Sequence, residues 1–202
     1  EIPPTIACPG NITVNNDAGV CSAVVNFSAT ENSGAESTYS HAPGSAFPIG
    51  TTTVTATATN TAGTASCSFD ITVIDAESPE IVCPPVIILD ATSDLGAVVN
   101  YTTPVGTDNC AGTTTVQTSG LPDGATFPIG LTTNTFLATD ATGNTSSCSF
   151  DVIVQSALPV IVCPADMIVG TDAGLCSAVV NFSATETAGI PVSTITYSHA
   201  PG

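Results

Sequence analysis

The side chains of this sequence that stand out for their chemistry are eight cysteines, seventeen carboxylates and two histidines. None of the cysteines sits in a Cys-x-x-Cys pair, so they fit disulfides better than zinc or dithiol redox chemistry, and the compartment is an oxidising one. Asp75, Glu77 and Glu80 place three carboxylates within six residues, a set that could hold Ca²⁺, which takes six to eight oxygens. Their spacing is not that of an EF-hand loop, and the competing reading is three solvated acids. His41 and His199 fall at the same place in two copies of Tyr-Ser-His-Ala-Pro-Gly. No nucleophile or acid accompanies them at diagnostic spacing, so no catalytic residue is assigned and the chain reads as no enzyme. Five Asn-x-Ser/Thr triplets, at Asn11, Asn26, Asn100, Asn144 and Asn181, are candidate glycosylation sites.

What is missing excludes as much as what is present. In 202 residues there is no Lys and no Arg, where an average chain would carry roughly 20. Nothing can neutralise phosphates, which removes nucleic acid as a partner. Basic membrane anchors and Lys-containing phosphate loops go with it. No apolar run approaches the roughly 18 residues of a bilayer span, since Ile81 to Leu89 is broken by Pro84 and Pro85. Charged residues are only 8% and apolar residues 43% of the chain, a balance of a folded protein rather than a disordered polyanion.

The elements that must position these groups come in repeats. Ile6-Ala7-Cys8-Pro9 recurs as Ile81-Val82-Cys83-Pro84 and as Ile161-Val162-Cys163-Pro164. Asp17 to Glu31 returns almost unchanged as Asp172 to Glu186, whereas the middle copy keeps only Ala97 to Thr102. Phe47-Pro48-Ile49-Gly50 matches Phe127-Pro128-Ile129-Gly130, and Cys67-Ser68-Phe69-Asp70 matches Cys148-Ser149-Phe150-Asp151. The order is A, B, A′, with expected modules at 1–76, 77–156 and 157–202, the last stopping level with Gly44 of repeat A.

Within each repeat the period is that of strands. Val25 and Phe27 alternate with polar neighbours, and Thr52 to Thr59 and Ser66 to Ile74 are rich in β-branched residues around a turn at Asn60 to Thr64. No helical period of useful length occurs. The fold class is all-β: tandem immunoglobulin-like antiparallel β-sandwiches, the third incomplete in this chain. In such strands Asn26, Asn100 and Asn181 point outward, opposite the inward Val25/Phe27, Val99/Tyr101 and Val180/Phe182.

Cys-Pro near the start of a repeat, Gly-x-Cys before a strand, Asp108-Asn109-Cys110, Phe-Pro-Ile-Gly-Thr-Thr, Thr139-Asp140-Ala141-Thr142-Gly143-Asn144 and Cys-Ser-Phe near the end together resemble the hyalin repeat (HYR) family. The resemblance covers essentially the whole chain. Repeat A departs from it at Asn60 and Thr64, where the pattern has Asp and Asn. It implies extracellular immunoglobulin-like modules in tandem, with an adhesive or structural role at a surface or matrix and no enzymatic one.

In a sandwich of this kind the first and last strands are neighbours, which pairs Cys8 with Cys67 and Cys83 with Cys148. Each bridge closes a loop of roughly 60 residues, for about 4 kcal/mol in the chain-entropy model. Cys21 and the position of Cys110 lie at opposite ends of a strand and cannot pair within one module. Repeat A has the first and lacks the second; B has the reverse. A head-to-tail array brings Cys21 of A beside Cys110 of B, and a bridge there is expected, with free thiols or a link between chains as alternatives. Cys163 and Cys176 are unpaired within the chain and await partners outside it.

A sandwich lacking its last strands has open edges, so the incomplete module points to a continuing chain or to strand addition from a neighbour. The resulting reading is a segment of an extracellular filament or surface stalk whose partner is itself, without cofactor unless Ca²⁺ occupies the linker. Two rival readings are an adhesin binding a receptor or glycan, and spacer modules of a larger secreted enzyme.

Overall fold

The computed structural model describes residues 2–32, 35–156, 160–188 and 195–199, the side chains of 187 and 188 excepted. Regular structure among them is β-strand. Repeat A contributes β1 (Ile6–Ala7), β2 (Ile12–Asn15), β3 (Ser22–Val25), β4 (Thr30–Glu31), β5 (Glu36–Tyr39), β6 (Ser45–Pro48), β7 (Gly50–Asn60) and β8 (Gly63–Ile74). These form a four-stranded sheet in the order β2-β8-β7-β5, faced by the pairs β3-β6 and β1-β4. All pairings are antiparallel except that of β2, which runs parallel to β8 with Ile12 opposite Ile71.

The long β7–β8 hairpin shows why these residues make strands. Its alternate residues Val54, Ala56, Ala58, Phe69, Ile71 and Val73 are buried, while Thr53 hydrogen-bonds Asp70 at 2.7 Å and Thr51 meets Thr72 at 3.0 Å on the outer face. The two periods of the sequence therefore resolve into one greasy and one hydroxyl-lined face. Both strands run longer than the sequence pattern suggested: pairing continues to Asn60 opposite Gly63, and Asn60 Oδ1 accepts the Ala62 N–H at 2.9 Å to close a tighter turn. Conversely, β3 ends at Val25, whose carbonyl accepts the Gly44 N–H, yet Phe27 still turns inward, edge-on to Phe69 at 5.1 Å and to Tyr39 at 5.4 Å. Burying each such side chain stabilises the module by about 1.5–3 kcal/mol.

Repeat B contributes β9 (Ile87–Asp90), β10 (Ala97–Val98), β11 (Thr114–Ser119), β12 (Thr126–Phe127), β13 (Gly130–Thr139) and β14 (Thr145–Gln155). The sheet order is β11-β13-β14-β9, with β10 paired to β12 and β9 parallel to β14. Phe127, Phe136, Phe150, Val152 and Val154 are buried. Tyr101, at the place of Phe27, lies 5.0 Å from Phe150 and donates its hydroxyl to the Leu121 carbonyl at 2.7 Å. Repeat A′ contributes β15 (Val160–Val162) and β16 (Thr185–Ala188), an antiparallel pair. Its Phe182 and Tyr197 rings meet edge-on at 5.4 Å, as Phe27 and Tyr39 do in A.

The chain divides into two compact units that cut across the repeats. The first takes 1–82 together with 105–116 and 137–147 of repeat B; the second takes 83–104, 117–136 and 148–202. The linker residues 157–159, where the third module was expected to begin, lie outside the described residues.

Candidate functional site

The site is built inside the first unit, around the turn that precedes β3. Asp17 to Val20 reverse the chain: the Val20 N–H reaches the Asp17 carbonyl at 3.1 Å, and Asp17 Oδ2 accepts the Val24 N–H at 2.8 Å. Gly19 has φ +74°, a conformation that a residue with a Cβ enters only with strain. The turn delivers Cys21 to the head of β3, and the structure joins Cys21 to Cys110, with 4.9 Å between their Cα atoms.

The segment 75–80 wraps around this turn. The Glu77 carboxylate accepts the Gly19 N–H at 2.9 and 3.0 Å and the Asn16 Nδ2 at 3.0 Å. Asn16 Oδ1 in turn accepts the Ala76 N–H at 3.0 Å. Glu80 exchanges backbone hydrogen bonds with Thr107, at 2.7 and 2.8 Å, and its side chain is exposed. Asn109 Nδ2 donates to the Val20 carbonyl at 3.0 Å. Of the three acids expected to gather in the linker, Glu77 is thus taken up by the turn and Glu80 faces solvent. A cleft of about 240 Å³ opens among Gly19, Glu77, Glu80, Thr107, Asp108 and Asn109.

Asp75 has gone inward. It is 3% exposed, and it lies beside Asp108 and Cys110, ligand atoms within 4.8 Å of one another. Its Oδ1 accepts the Glu77 N–H at 3.2 Å, and Asp108 Oδ2 accepts the Cys110 N–H at 3.0 Å. Asp75 Oδ2 and Asp108 Oδ1 are buried without a hydrogen-bond partner among the described residues. Burial pushes the Asp75 carboxyl above the usual range; the Glu77 N–H opposes this, and the charges of Asp108, Asp140 and Glu77 add to the rise.

Asp140, also buried, belongs to the hairpin turn of repeat B. Burial raises its pKa, but the Asn144 side chain and the N–H groups of Asn144, Gly143 and Thr142 outweigh it and hold the carboxyl below the usual range. Asn144 Nδ2 donates at 2.7 Å to Asp140 Oδ2 and at 3.1 Å to the Asp75 carbonyl. That nitrogen is the atom an N-linked sugar would occupy. Asn26, Asn100 and Asn181 are exposed, and Asn11, also exposed, accepts the Asp70 N–H at 3.0 Å.

The other cysteine pairs are Cys8 with Cys67 and Cys83 with Cys148, Cα atoms 5.8 and 5.6 Å apart. Cys163 and Cys176 are free and exposed. His41 is exposed and touches the Ser40 hydroxyl at 3.2 Å and the Phe47 ring at 5.6 Å; His199 repeats the contact with Ser198 at 3.4 Å.

The family model described as HYR domain matches residues 1–73 and again 74–154. The chain belongs to the HYR domain family. Hyalin of Strongylocentrotus purpuratus is 31% identical over 217 residues, a match that takes in 99% of this chain and 18% of that protein. Hyalin of Lytechinus variegatus is 33% identical over 84% of this chain and 34% of its own length. The "Sushi, von Willebrand factor type A, EGF and pentraxin domain-containing protein 1" of Rattus norvegicus is 34% identical over 76% of this chain and 4% of its own. The chain therefore spans 34% or less of each of these relatives. Among solved structures, human protocadherin-24 EC1-2 (11% identity, TM-score 0.35, 77% of this chain and 99% of that one) and titin domains z1z2 in complex with telethonin (16%, 0.37, 76% and 97%) are loose likenesses. An HYR chain carrying three disulfides is an extracellular one.

The partnership of Asp75 with Asp108 escaped the sequence reading, as did the roles of Glu77, Asn16 and Asn109. A signal was present: if Cys110 meets Cys21, its neighbours Asp108 and Asn109 must meet the residues flanking that turn and the linker beside it.

Proposed function

We propose that this chain is a structural segment of an extracellular filament or surface stalk, made of HYR modules at 1–76, 77–156 and from 157 onward, with no catalytic role. The observation that carries the reading is the Cys21–Cys110 bridge. It ties the turn before β3 of repeat A to the loop between β10 and β11 of repeat B, a second covalent connection beside the six-residue linker that would share tension applied along the chain. A bridge of this span adds between 4 and 5 kcal/mol, roughly, in the chain-entropy model.

A cavity of about 490 Å³ lies among Ile161, Cys163, Phe182, Ala184, Ile195 and Tyr197. In repeat A the equivalent Phe27 packs on Phe69 and Phe47, and the equivalent Cys8 is bonded to Cys67. A strand of the Cys-Ser-Phe-Asp pattern would fill this space as β8 does in repeat A and bring a cysteine to Cys163. A chain without Lys or Arg presents a polyanionic surface that discourages bundling.

Electron microscopy of the native extracellular material tests this. Regular fibres that shorten or fray on reduction are the expected result. Isolated particles whose Cys163 and Cys176 carry free thiols would contradict it. The adhesin reading, with a receptor or glycan as partner, draws support from large apolar side chains exposed in loops, Leu95 at 74% and Val105 at 72%; saturable binding to glycan arrays or cells by unpolymerised chain would favour it.

A further inference from the structure

The acids at the bridged junction, Asp75 buried and Asp108 half-buried, have no counter-charge of their own. Asp75 Oδ2 and Asp108 Oδ1 are out of solvent and without partners among the described residues, and the two side chains, with the Cys110 sulfur, bring their ligand atoms within 4.8 Å of one another. Uncompensated carboxylates so placed are costly. In other proteins a Lys or Arg resolves such a pair, but this sequence contains neither. The remaining oxygens of both side chains are held by the Glu77 and Cys110 N–H groups, which leaves one oxygen on each side chain without a partner among the described residues. Asp108 also lines the open cleft beside Gly19, which provides a way in from solvent.

We propose that Asp75 Oδ2 and Asp108 Oδ1 bind one hard divalent cation of calcium size, with water completing its shell. Carboxylate oxygens completed by water are the donor set that calcium accepts in a flexible geometry, at about 2.4 Å, whereas magnesium demands a near-ideal octahedron. The Cys110 sulfur is half of a disulfide and is neither a thiolate nor a hard ligand, so the ion rests beside the bridge without touching its chemistry. This site is not the linker trio Asp75, Glu77 and Glu80 that the sequence suggests, and it does not depend on whether the chain forms filaments. With two carboxylates and solvent as ligands, affinity belongs in the range of extracellular calcium modules, a dissociation constant on the order of 10⁻⁴–10⁻³ M.

The test is a CaCl₂ titration of the whole oxidised chain followed by amide NMR. Saturable shifts at Ala76, Glu77, Asn109 and Cys110 are expected, with NaCl at matched ionic strength leaving them in place. Asp108→Asn and Asp75→Asn should each weaken the apparent affinity at least tenfold, and Glu80→Gln should titrate as the natural chain does. The wild-type titration stands alone if a variant does not fold. Shifts that never saturate, that NaCl reproduces, that survive both Asp→Asn changes, or that vanish in Glu80→Gln would overturn the site.

Discussion

The turn at Asp17 to Cys21 and the turn at Asp172 to Cys176 are built alike and end differently. In both, the aspartate N–H reaches the serine carbonyl five residues on at 2.8 Å. In both, its Oδ2 takes the N–H of a valine seven residues on, at 2.8 Å in the first and 3.2 Å in the second. Gly19 and Gly174 share a left-handed φ of +74° and +82°. Yet Cys21 is bonded to Cys110, and Cys176 is free and exposed. The local sequence shapes the turn and aims the thiol. Whether a bridge forms is decided by what arrives from elsewhere: Glu77 on the Gly19 N–H, Asn109 on the Val20 carbonyl, and Cys110 itself.

Replacing Cys110 by Ser should give the largest difference between the two turns, lowering the unfolding free energy of the first unit by about 4 kcal/mol in denaturant titrations. Cys176→Ser should leave that transition where it was. Removing the clamp comes next. Glu77→Ala deprives the Gly19 N–H and Asn16 of a charged acceptor and should cost about 1.5–3 kcal/mol, while slowing formation of the Cys21–Cys110 bond during oxidative refolding. Gly19→Ala should cost about 1–2 kcal/mol by forcing a Cβ into the left-handed region, and Gly174→Ala should leave the first unit's denaturant midpoint unchanged.

The smallest effect is on pH. Asp75 has its pKa above the usual 3.8 in the folded chain, from burial first and then the facing charges of Asp108, Asp140 and Glu77. The unfolded chain therefore loses that proton first. Stability associated with the protonated form should be present at about pH 4 and decline as pH rises through the raised value, in chelator, and Asp75→Asn should flatten the decline. Asp140 works oppositely: its lowered pKa contributes stability above about 3.8 that is lost as pH falls through the folded value. A stability that rises from pH 4 to neutral in chelator would contradict the placement of Asp75.

Much of the fold was legible because its signals are local. Threonine-rich alternation gave the β7–β8 hairpin, and the recurrence of Cys-Pro and Cys-Ser-Phe gave the repeats and, through a two-sheet sandwich, the partners of Cys8 and Cys83. The Cys21–Cys110 pair was legible only by subtraction, since each repeat carries one half of it. The acid pair was not, because Asp75 and Asp108 are 33 positions apart and Asp75, Glu77 and Glu80 look interchangeable in a linker. Burial separates them: Asp75 turns in, Glu77 meets the turn, and Glu80 pairs through its backbone with Thr107 while its side chain is exposed. The comparison of hairpin turns teaches the same point. Asn60 Nδ2 holds the Ile2 carbonyl at 3.0 Å just as Asn144 Nδ2 holds that of Asp75 at 3.1 Å, so an equivalent anchor is made where the sequence pattern departs from the family's.

The most direct measurement is peptide mapping of the native, non-reduced chain. With no Lys or Arg for trypsin, digestion by an acidic-residue-directed protease after blocking free thiols is required. A linked peptide pair carrying Cys21 and Cys110, released only on reduction, is the predicted result. Cys21 and Cys110 recovered on separate blocked peptides would contradict the account.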